Sequence, residues 1–269
     1  MTTIATLAII LYLVSGLLLA SKLRSRLDNT ATTINKKIYI SIWAAALLLH
    51  ATVLYYPLLI NSGLSIGIMS AASHIIWLAS LLLLFTTLTH DIEALGLFII
   101  PLTAFTLLLQ QTFTPNPANV IQINNGLGIH IFSSLLAYSM LMLAAIQAAL
   151  LAEQNNHLHN HKPTGFIRIL PSLQDMESLL FRFISLGVFL LTIALVTGFI
   201  YLDNLFGQNI AHKTILSIIA WGVYATLLVG HKKFGWRGRT AIRWTLSGFF
   251  LLVIAFFGSK LVQYYLTGT

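Results

Sequence analysis

Apolar residues form eight long runs along the chain, and short polar segments separate them. Each run has about 17 to 25 residues, the length that an α-helix needs to cross the hydrocarbon core of a bilayer. We therefore predict an all-α polytopic membrane protein, a bundle of eight transmembrane helices. The predicted spans cover residues 4–20, 39–60, 65–88, 94–112, 128–152, 178–201, 213–230 and 241–263.

Basic residues concentrate in three of the polar segments between the runs, and these three lie on one side of the predicted bundle. Loop 21–38 carries five lysines and arginines, loop 153–175 carries two, and loop 231–240 carries four. Because lysine and arginine are enriched in cytoplasmic loops, these three loops are predicted to be cytoplasmic. Both termini are then expected on the periplasmic side.

Composition excludes several classes of protein. Hydrophobic residues make up 57% of the chain and charged residues 8%, whereas a soluble domain has about 25% charged residues. The net charge of +8 follows from the basic loops, so no nucleic-acid partner is expected; the expected partner is the lipid bilayer. The absence of cysteine excludes disulfides, thiolate metal sites and a C-x-x-C-H haem attachment site. We predict a single integral membrane domain over residues 1–269.

Two histidines are expected inside the membrane, where ionisable groups indicate function by default. His50 and His74 each lie twelve residues from Ser62, so an antiparallel hairpin would place both about 18 Å below the turn. Trp43 shares a helix face with His50, and Trp77 shares one with His74. Imidazoles beside flat rings suit a haem. The alternative is a buried histidine that donates to a backbone carbonyl.

Two further histidines, His130 and His212, begin the fifth and seventh spans at the predicted outer surface. Two opposed neutral imidazoles complete an octahedral haem iron, and four histidines at two depths form two pairs better than one zinc tetrahedron. His130, Ser134 and Tyr138 recur every four residues and give that helix a polar face. Lys213 lies beside His212, where it could pair with a haem propionate. The alternative is that both histidines are solvated residues at helix ends.

A set of short motifs in the last third of the chain carries a family resemblance. Lys213, Ser217 and Trp221 recur at four-residue spacing, and the turn Gly235-Trp236-Arg237-Gly238-Arg239 and the triplet Phe256-Phe257-Gly258 follow. In these motifs the chain resembles the CcsA/HemX superfamily of cytochrome c assembly membrane proteins, and more closely its branch of the bacterial inner-membrane protein YpjD. The likeness is best over residues 128–258. The resemblance implies a location in the bacterial inner membrane. It also implies a haem cofactor, for which we predict haem b. Other cytochrome c assembly proteins or membrane proteins are the implied partners.

The resemblance also assigns residues to the cofactor. In the family an outward-facing histidine at the start of the fifth helix ligates haem, and His130 matches it. The family's second outer ligand follows the Phe-Phe-Gly triplet, where this chain has no histidine, and we infer that His212 replaces it. Lys213 and Trp221 keep the family's spacing and are expected at the cofactor. Where the family has Trp-Asp-Pro, this chain has Ile210-Ala211-His212, so the tryptophan-rich haem-handling loop is absent.

Three functional hypotheses follow. The first is a haem-binding membrane protein that holds haem or passes it toward the periplasmic face without making thioether bonds. The others are a transporter or channel that uses the histidines as proton relays, and a structural accessory subunit. The sequence offers no nucleophile, general-base pair or phosphate-binding loop, which favours a non-catalytic role and leaves enzymatic activity open.

Overall fold

A computed structural model of the chain describes residues 1–28, 30, 34–60, 63–65, 67–113, 120–121, 125–159, 167, 169–201 and 211–258. Within these residues eight helices are long and apolar enough to cross a membrane, as the sequence predicts. The protein is therefore all-helical in its spans and multi-pass. The helices are α1 (Thr2–Leu27), α2 (Lys36–Leu59), α3 (Ile68–Thr89), α4 (Glu93–Thr112), α5 (Asn125–His159), α6 (Leu173–Tyr201), α7 (Ala211–Phe234) and α8 (Gly238–Val253), and a π-helical turn, Ile254–Gly258, continues α8.

The first two helices are longer than predicted. Loop 21–38 was expected to hold Lys22, but α1 continues to Leu27 and α2 begins at Lys36, so Lys22 lies on α1 and is 5% exposed. The amine can be buried because the Glu93 carboxylate meets it there. The periplasmic location of the termini stays a prediction.

The third helix begins later than predicted, because two short strands precede and follow the α3–α4 pair. Strand β1 (Leu64–Ser65) pairs antiparallel with β2 (Val120–Ile121). Gly63 before β1 has φ 79°, a left-handed conformation that glycine adopts without steric cost. The expectation of purely helical structure missed this pairing, since two residues are too few to show an alternating pattern.

The structure groups into two compact units. Unit 1 comprises Met1–Gln122 and His157–Pro171, and unit 2 comprises Ile123–Asn156 and Ser172–Thr269. In unit 1, α1 packs against α2 and α4, and α3 packs against the same two helices. In unit 2, α7 packs against α6, α8 and the π-helical turn. A single domain over the whole chain stays a prediction.

Unit 2 brings its helices together at glycines. A methyl group added at Gly187 of α6 would lie 2.6 Å from Leu141 of α5, and one at Gly248 of α8 would lie 2.7 Å from Tyr224 of α7. Small residues that allow close backbone approach are typical of helix contacts in membranes. The helices of unit 2 are therefore held by close packing at these points.

Capping contacts determine where several helices begin. The Asn35 side chain accepts a hydrogen bond from Lys37 N at 3.0 Å at the start of α2. At the start of α6, Asp175 N donates to Ser172 Oγ at 3.2 Å, and the Ser172 hydroxyl donates to Asp175 Oδ2 at 2.6 Å, so the serine side chain caps the helix. Pro101 lies inside α4, and the kink predicted there stays a prediction.

Candidate functional site

Polar contacts fix the register between α2 and α3 in unit 1. Trp43 Nε1 donates to Ser80 Oγ at 2.9 Å, and Trp77 Nε1 donates to the Leu47 carbonyl at 2.9 Å. One level further toward the turn that joins the two helices, His50 Nε2 is hydrogen-bonded to Ser73 Oγ at 3.0 Å. His50 and His74 therefore lie at one level of an antiparallel helix pair, in agreement with their equal sequence distance from the turn.

Within their helices the two histidines lie at different distances from the helix ends. His74 lies six residues after the start of α3 at Ile68, which corresponds to about 9 Å along the helix. His50 lies nine residues before Leu59 at the end of α2, or about 14 Å. Ser62 lies outside the described residues, so the depth of about 18 Å below it stays a prediction.

His50 is fully enclosed and both of its ring nitrogens have partners. It is 0% exposed; Nδ1 is hydrogen-bonded to the Tyr12 hydroxyl of α1 at 3.3 Å, and Nε2 to Ser73. Tyr12 also packs edge-on against the imidazole, with ring centroids 5.9 Å apart. This histidine links three helices of unit 1 through its hydrogen bonds. Binding a metal through either nitrogen would require the loss of one of them.

His74 differs from His50 in having one nitrogen without a partner. Its Nδ1 donates to the Ser70 carbonyl at 2.7 Å, so the neutral ring has its lone pair on Nε2. Within the residues that the structure describes, Nε2 is buried and makes no hydrogen bond. Tyr55 packs edge-on against the imidazole at 5.4 Å and against Trp77 at 5.5 Å.

His130 lies near the N-terminal end of α5 in unit 2 and is half-buried. Its Nδ1 donates to the carbonyl of Ala194 on α6 at 2.8 Å. That hydrogen bond orients the ring and leaves Nε2 as the nitrogen with the lone pair. Metal-binding histidines in proteins commonly donate the other N–H to a carbonyl in this way.

His212 and Lys213 occupy the start of α7 in the same unit. His212 is exposed and Lys213 is half-buried. The amine of Lys213 lies 6.0 Å from the centre of the Phe256 ring in the π-helical turn. Phe256 in turn packs against Tyr138 of α5 at 5.9 Å, and the Tyr138 hydroxyl donates to the Leu252 carbonyl at 3.2 Å. The Phe256 ring thus lies between Lys213 and Tyr138, which belongs to the polar face of α5.

Trp221 lies on the surface of α7, where it is 36% exposed. Its Nε1 donates to Thr192 Oγ1 of α6 at 2.9 Å. The indole N–H is therefore committed to a helix–helix contact, and only the ring face is left to pack against a cofactor.

The turn that carries the Gly-Trp-Arg-Gly-Arg motif is built as the sequence predicts. Gly235 has φ 66° and Gly238 has φ 53°, conformations that glycine adopts readily. The Trp236 ring packs directly over Gly230, leaving no room for a side chain at that position. Glu177 of α6 accepts a hydrogen bond from Gly238 N at 2.7 Å, so a carboxylate already caps the start of α8.

The sequence interpretation missed a buried ion pair in unit 1. Both carboxylate oxygens of Glu93 accept from Lys22 Nζ, at 3.0 and 2.9 Å, and the two residues are 3% and 5% exposed. Lys36 and Arg26 approach the same carboxylate at 3.4 and 3.7 Å. The sequence contained an indication of this ion pair, because Glu93 is an acidic residue directly at the start of an apolar run.

In the described part of the chain, no three histidine, cysteine, aspartate or glutamate side chains converge as a metal cluster would require. The histidines instead occur as separate imidazoles, one of them half-buried at a helix end and one fully buried with an unpartnered nitrogen. Single imidazoles of this kind suit axial ligation of a haem iron.

Comparisons with known proteins show which family the sequence matches. The family model described as cytochrome C assembly protein matches residues 38–266. Inner membrane protein YpjD of Escherichia coli (strain K12) is 39% identical over 172 residues, which is 62% of this chain and 65% of that protein. Protein HemX of Brevibacillus brevis is 25% identical over 60% of this chain and 61% of its own length. Cytochrome c biogenesis protein CcsA of Prochlorococcus marinus (strain NATL1A) is 28% identical over 42% and 35%.

In each of these three relatives the matched stretch covers less than two thirds of the relative's length. No solved structure matches the chain.

Proposed function

Because the chain belongs to the cytochrome c assembly protein family, we propose that it is a haem-binding protein of the bacterial inner membrane that holds haem or passes it toward the periplasmic face. The resemblance seen in the sequence motifs is confirmed by the family match. The membrane assignment is supported by eight membrane-length helices and by the relative named as an inner membrane protein.

The observation that carries the proposal is the environment of His130. Its Nδ1–H is fixed by the Ala194 carbonyl at 2.8 Å, which sets the tautomer that ligation through Nε2 requires. The residue is half-buried near the N-terminal end of α5. His130 is also the residue that matches the family's outward-facing haem ligand.

Three other residues of unit 2 have the charge and chemistry that a haem site needs. His212 is an exposed imidazole on the same unit and would serve as the second ligand. Lys213, the next residue, would pair with a propionate, and Trp221 would offer its ring face. A bound haem would supply an iron for imidazole ligation, and His130 and His212 would hold it.

His50 and His74 of unit 1 are less suited to bind a haem iron than His130. His50 has no nitrogen to offer without losing a hydrogen bond to Tyr12 or Ser73. His74 has the right donor atom, but it is 2% exposed and Tyr55 packs against the ring. Haem ligation by His50 and His74 stays a prediction, and His130 is the favoured ligand.

Absorption spectroscopy of the purified protein tests the proposal. Protein from haem-replete cells should show a haem Soret band that is strongly reduced in His130→Ala and weakened in His212→Ala. His90→Ala is the matched control, because His90 is an exposed histidine outside the proposed haem site, and it should keep the band. A colourless wild-type preparation, or equal loss in the control, would refute the proposal.

A second candidate function has one observation in its favour. The Tyr12 hydroxyl, the His50 ring and the Ser73 hydroxyl form a continuous hydrogen-bonded chain inside unit 1, and such chains can relay protons. Proteoliposomes with haem-free protein would then conduct protons, and His50→Leu would abolish the flux. Equal flux in protein-free liposomes would remove this candidate.

A further inference from the structure

Nε2 of His74 is a buried polar atom with no hydrogen-bond partner among the described residues. Because Nδ1 donates to the Ser70 carbonyl at 2.7 Å, Nε2 has a lone pair and can only accept. Leaving such an acceptor unsatisfied in a low-dielectric interior costs free energy. A ligand that donates a hydrogen bond at this point would recover that cost.

Aromatic and imidazole side chains surround this nitrogen, and among the described residues the ring nitrogens of Trp77 and His50 already have partners. The Trp77 N–H is used by the Leu47 carbonyl at 2.9 Å, and both nitrogens of His50 are engaged. Tyr55 stands edge-on to both His74 and Trp77, at interplanar angles of 81° and 71°. With ring centroids 5.4 and 5.5 Å apart, the Tyr55 ring is in direct contact with His74 and Trp77, so a flat ligand ring would have to take the place of the Tyr55 ring.

Tyr55 is the member of this cluster that reaches the surface. It is half-buried, whereas His74 and Trp77 are 2% and 9% exposed. It lies four residues before the end of α2 at Leu59, about 6 Å along the helix. A molecule dissolved in the bilayer would therefore meet Tyr55 first, close to the end of the span.

We propose that His74, Tyr55 and Trp77 form a binding site for the headgroup of a lipid-soluble quinol. The quinol hydroxyl donates to His74 Nε2, as a tyrosine hydroxyl would, and its ring packs against Trp77 after Tyr55 turns aside. The oxidised quinone has only carbonyl oxygens, which accept, so it cannot satisfy the same lone pair. The site therefore discriminates between the two redox forms of one molecule.

This inference goes beyond the proposed function and does not depend on it. The quinol site uses residues of unit 1, and the favoured haem ligand is His130 of unit 2. His130→Ala should remove haem and keep quinol binding, so failure of one proposal is distinguishable from failure of the other.

Calorimetric titration of the wild-type protein in detergent, without oxygen, gives the first test. The probes are decylubiquinol, decylubiquinone and the dimethyl ether of decylubiquinol, which keeps the ring and tail but has no hydroxyl donor. The quinol should bind about tenfold more tightly than the other two, the effect of one hydrogen bond to an otherwise unsatisfied buried acceptor. Equal affinity of the quinol and its dimethyl ether would overturn the proposal without any need for a variant to fold.

A pair of variants on one helix gives the second test. His74→Phe keeps an aromatic ring and removes the acceptor. In this variant the quinol and its dimethyl ether should bind with about equal affinity. His90→Phe makes the same substitution at the other end of α3, where the histidine is exposed, and should keep the preference. Retention of the preference in His74→Phe would overturn the assignment. So would haem loss in His74→Phe together with no quinol preference in the wild type, since His74 would then be a haem ligand.

Discussion

The two units differ in the partners of several polar side chains that join their helices. In unit 1, buried side chains of different helices bond to one another, as in Lys22 with Glu93 and His50 with Tyr12 and Ser73. In unit 2, polar side chains such as His130 and Tyr224 donate to backbone carbonyls of another helix. Glycines allow close helix contacts in both units.

The difference separates histidines that hold the structure from histidines that can bind a ligand. An imidazole with both nitrogens engaged in a core, such as His50, contributes to helix association and is costly to remove. An imidazole held through one nitrogen, such as His130 or His74, has a lone pair to offer. The sequence alone does not distinguish these three histidines, whereas their hydrogen bonds in the structure do.

The largest effect is expected from breaking the ion pair of unit 1. Glu93→Leu leaves the Lys22 ammonium buried without its partner, which should lower the free energy of unfolding by about 3–5 kcal/mol. Asp28→Leu is the control on α1, because Arg24 and Asp28 are 84% and 60% exposed and such a pair contributes about 0–1 kcal/mol. Denaturant titration in mixed micelles measures both, and similar losses would contradict the comparison.

A smaller effect should separate His50 from His130. His50→Leu removes the hydrogen-bond partner of the Tyr12 and Ser73 hydroxyls and should lower stability by roughly 2 kcal/mol. The haem absorption should persist in this variant. His130→Leu should abolish the haem absorption and lower stability by only about 1 kcal/mol, for the one hydrogen bond that the Ala194 carbonyl loses. Loss of haem in His50→Leu at unchanged stability would place His50 among the ligands.

The close packing of unit 2 can be tested with two glycines of α7. Gly230→Ala would push a methyl group into the Trp236 ring and should cost about 1–3 kcal/mol through overpacking. Gly222→Ala on the same helix meets nothing within 4 Å and should be neutral or stabilising by up to about 1 kcal/mol. Equal unfolding midpoints for the two variants would show that the contact with Trp236 contributes little.

The smallest effect concerns Trp221. Trp221→Phe removes the N–H that Thr192 accepts, and stability should fall by about 1 kcal/mol or less. Thr192→Val should cost a similar amount, and the double variant should cost no more than either single change, as a double-mutant cycle shows for a shared bond. A change in the haem spectrum of Trp221→Phe would indicate that the indole also contacts the cofactor.

Much of the architecture could be predicted from the sequence. The apolar runs determine the eight helices, because a backbone in lipid must satisfy its own hydrogen bonds, and this part of the prediction is confirmed. Gly235 and Gly238 were expected to allow the tight turn before α8, and their positive φ angles confirm it. The spacing of His50 and His74 about a turn was enough to place them at one level.

Only the tertiary structure decided what those side chains do. Helix rotation brings Ser73 rather than His74 to Nε2 of His50, and it brings Ala194 of a separate helix to His130. Lys22 was predicted to lie in a loop. In the structure it is buried and donates a hydrogen bond to Glu93, which lies 71 residues further along the sequence. Such pairings depend on contacts between distant segments, and a one-dimensional pattern records which residues can bond but not which partner each one meets.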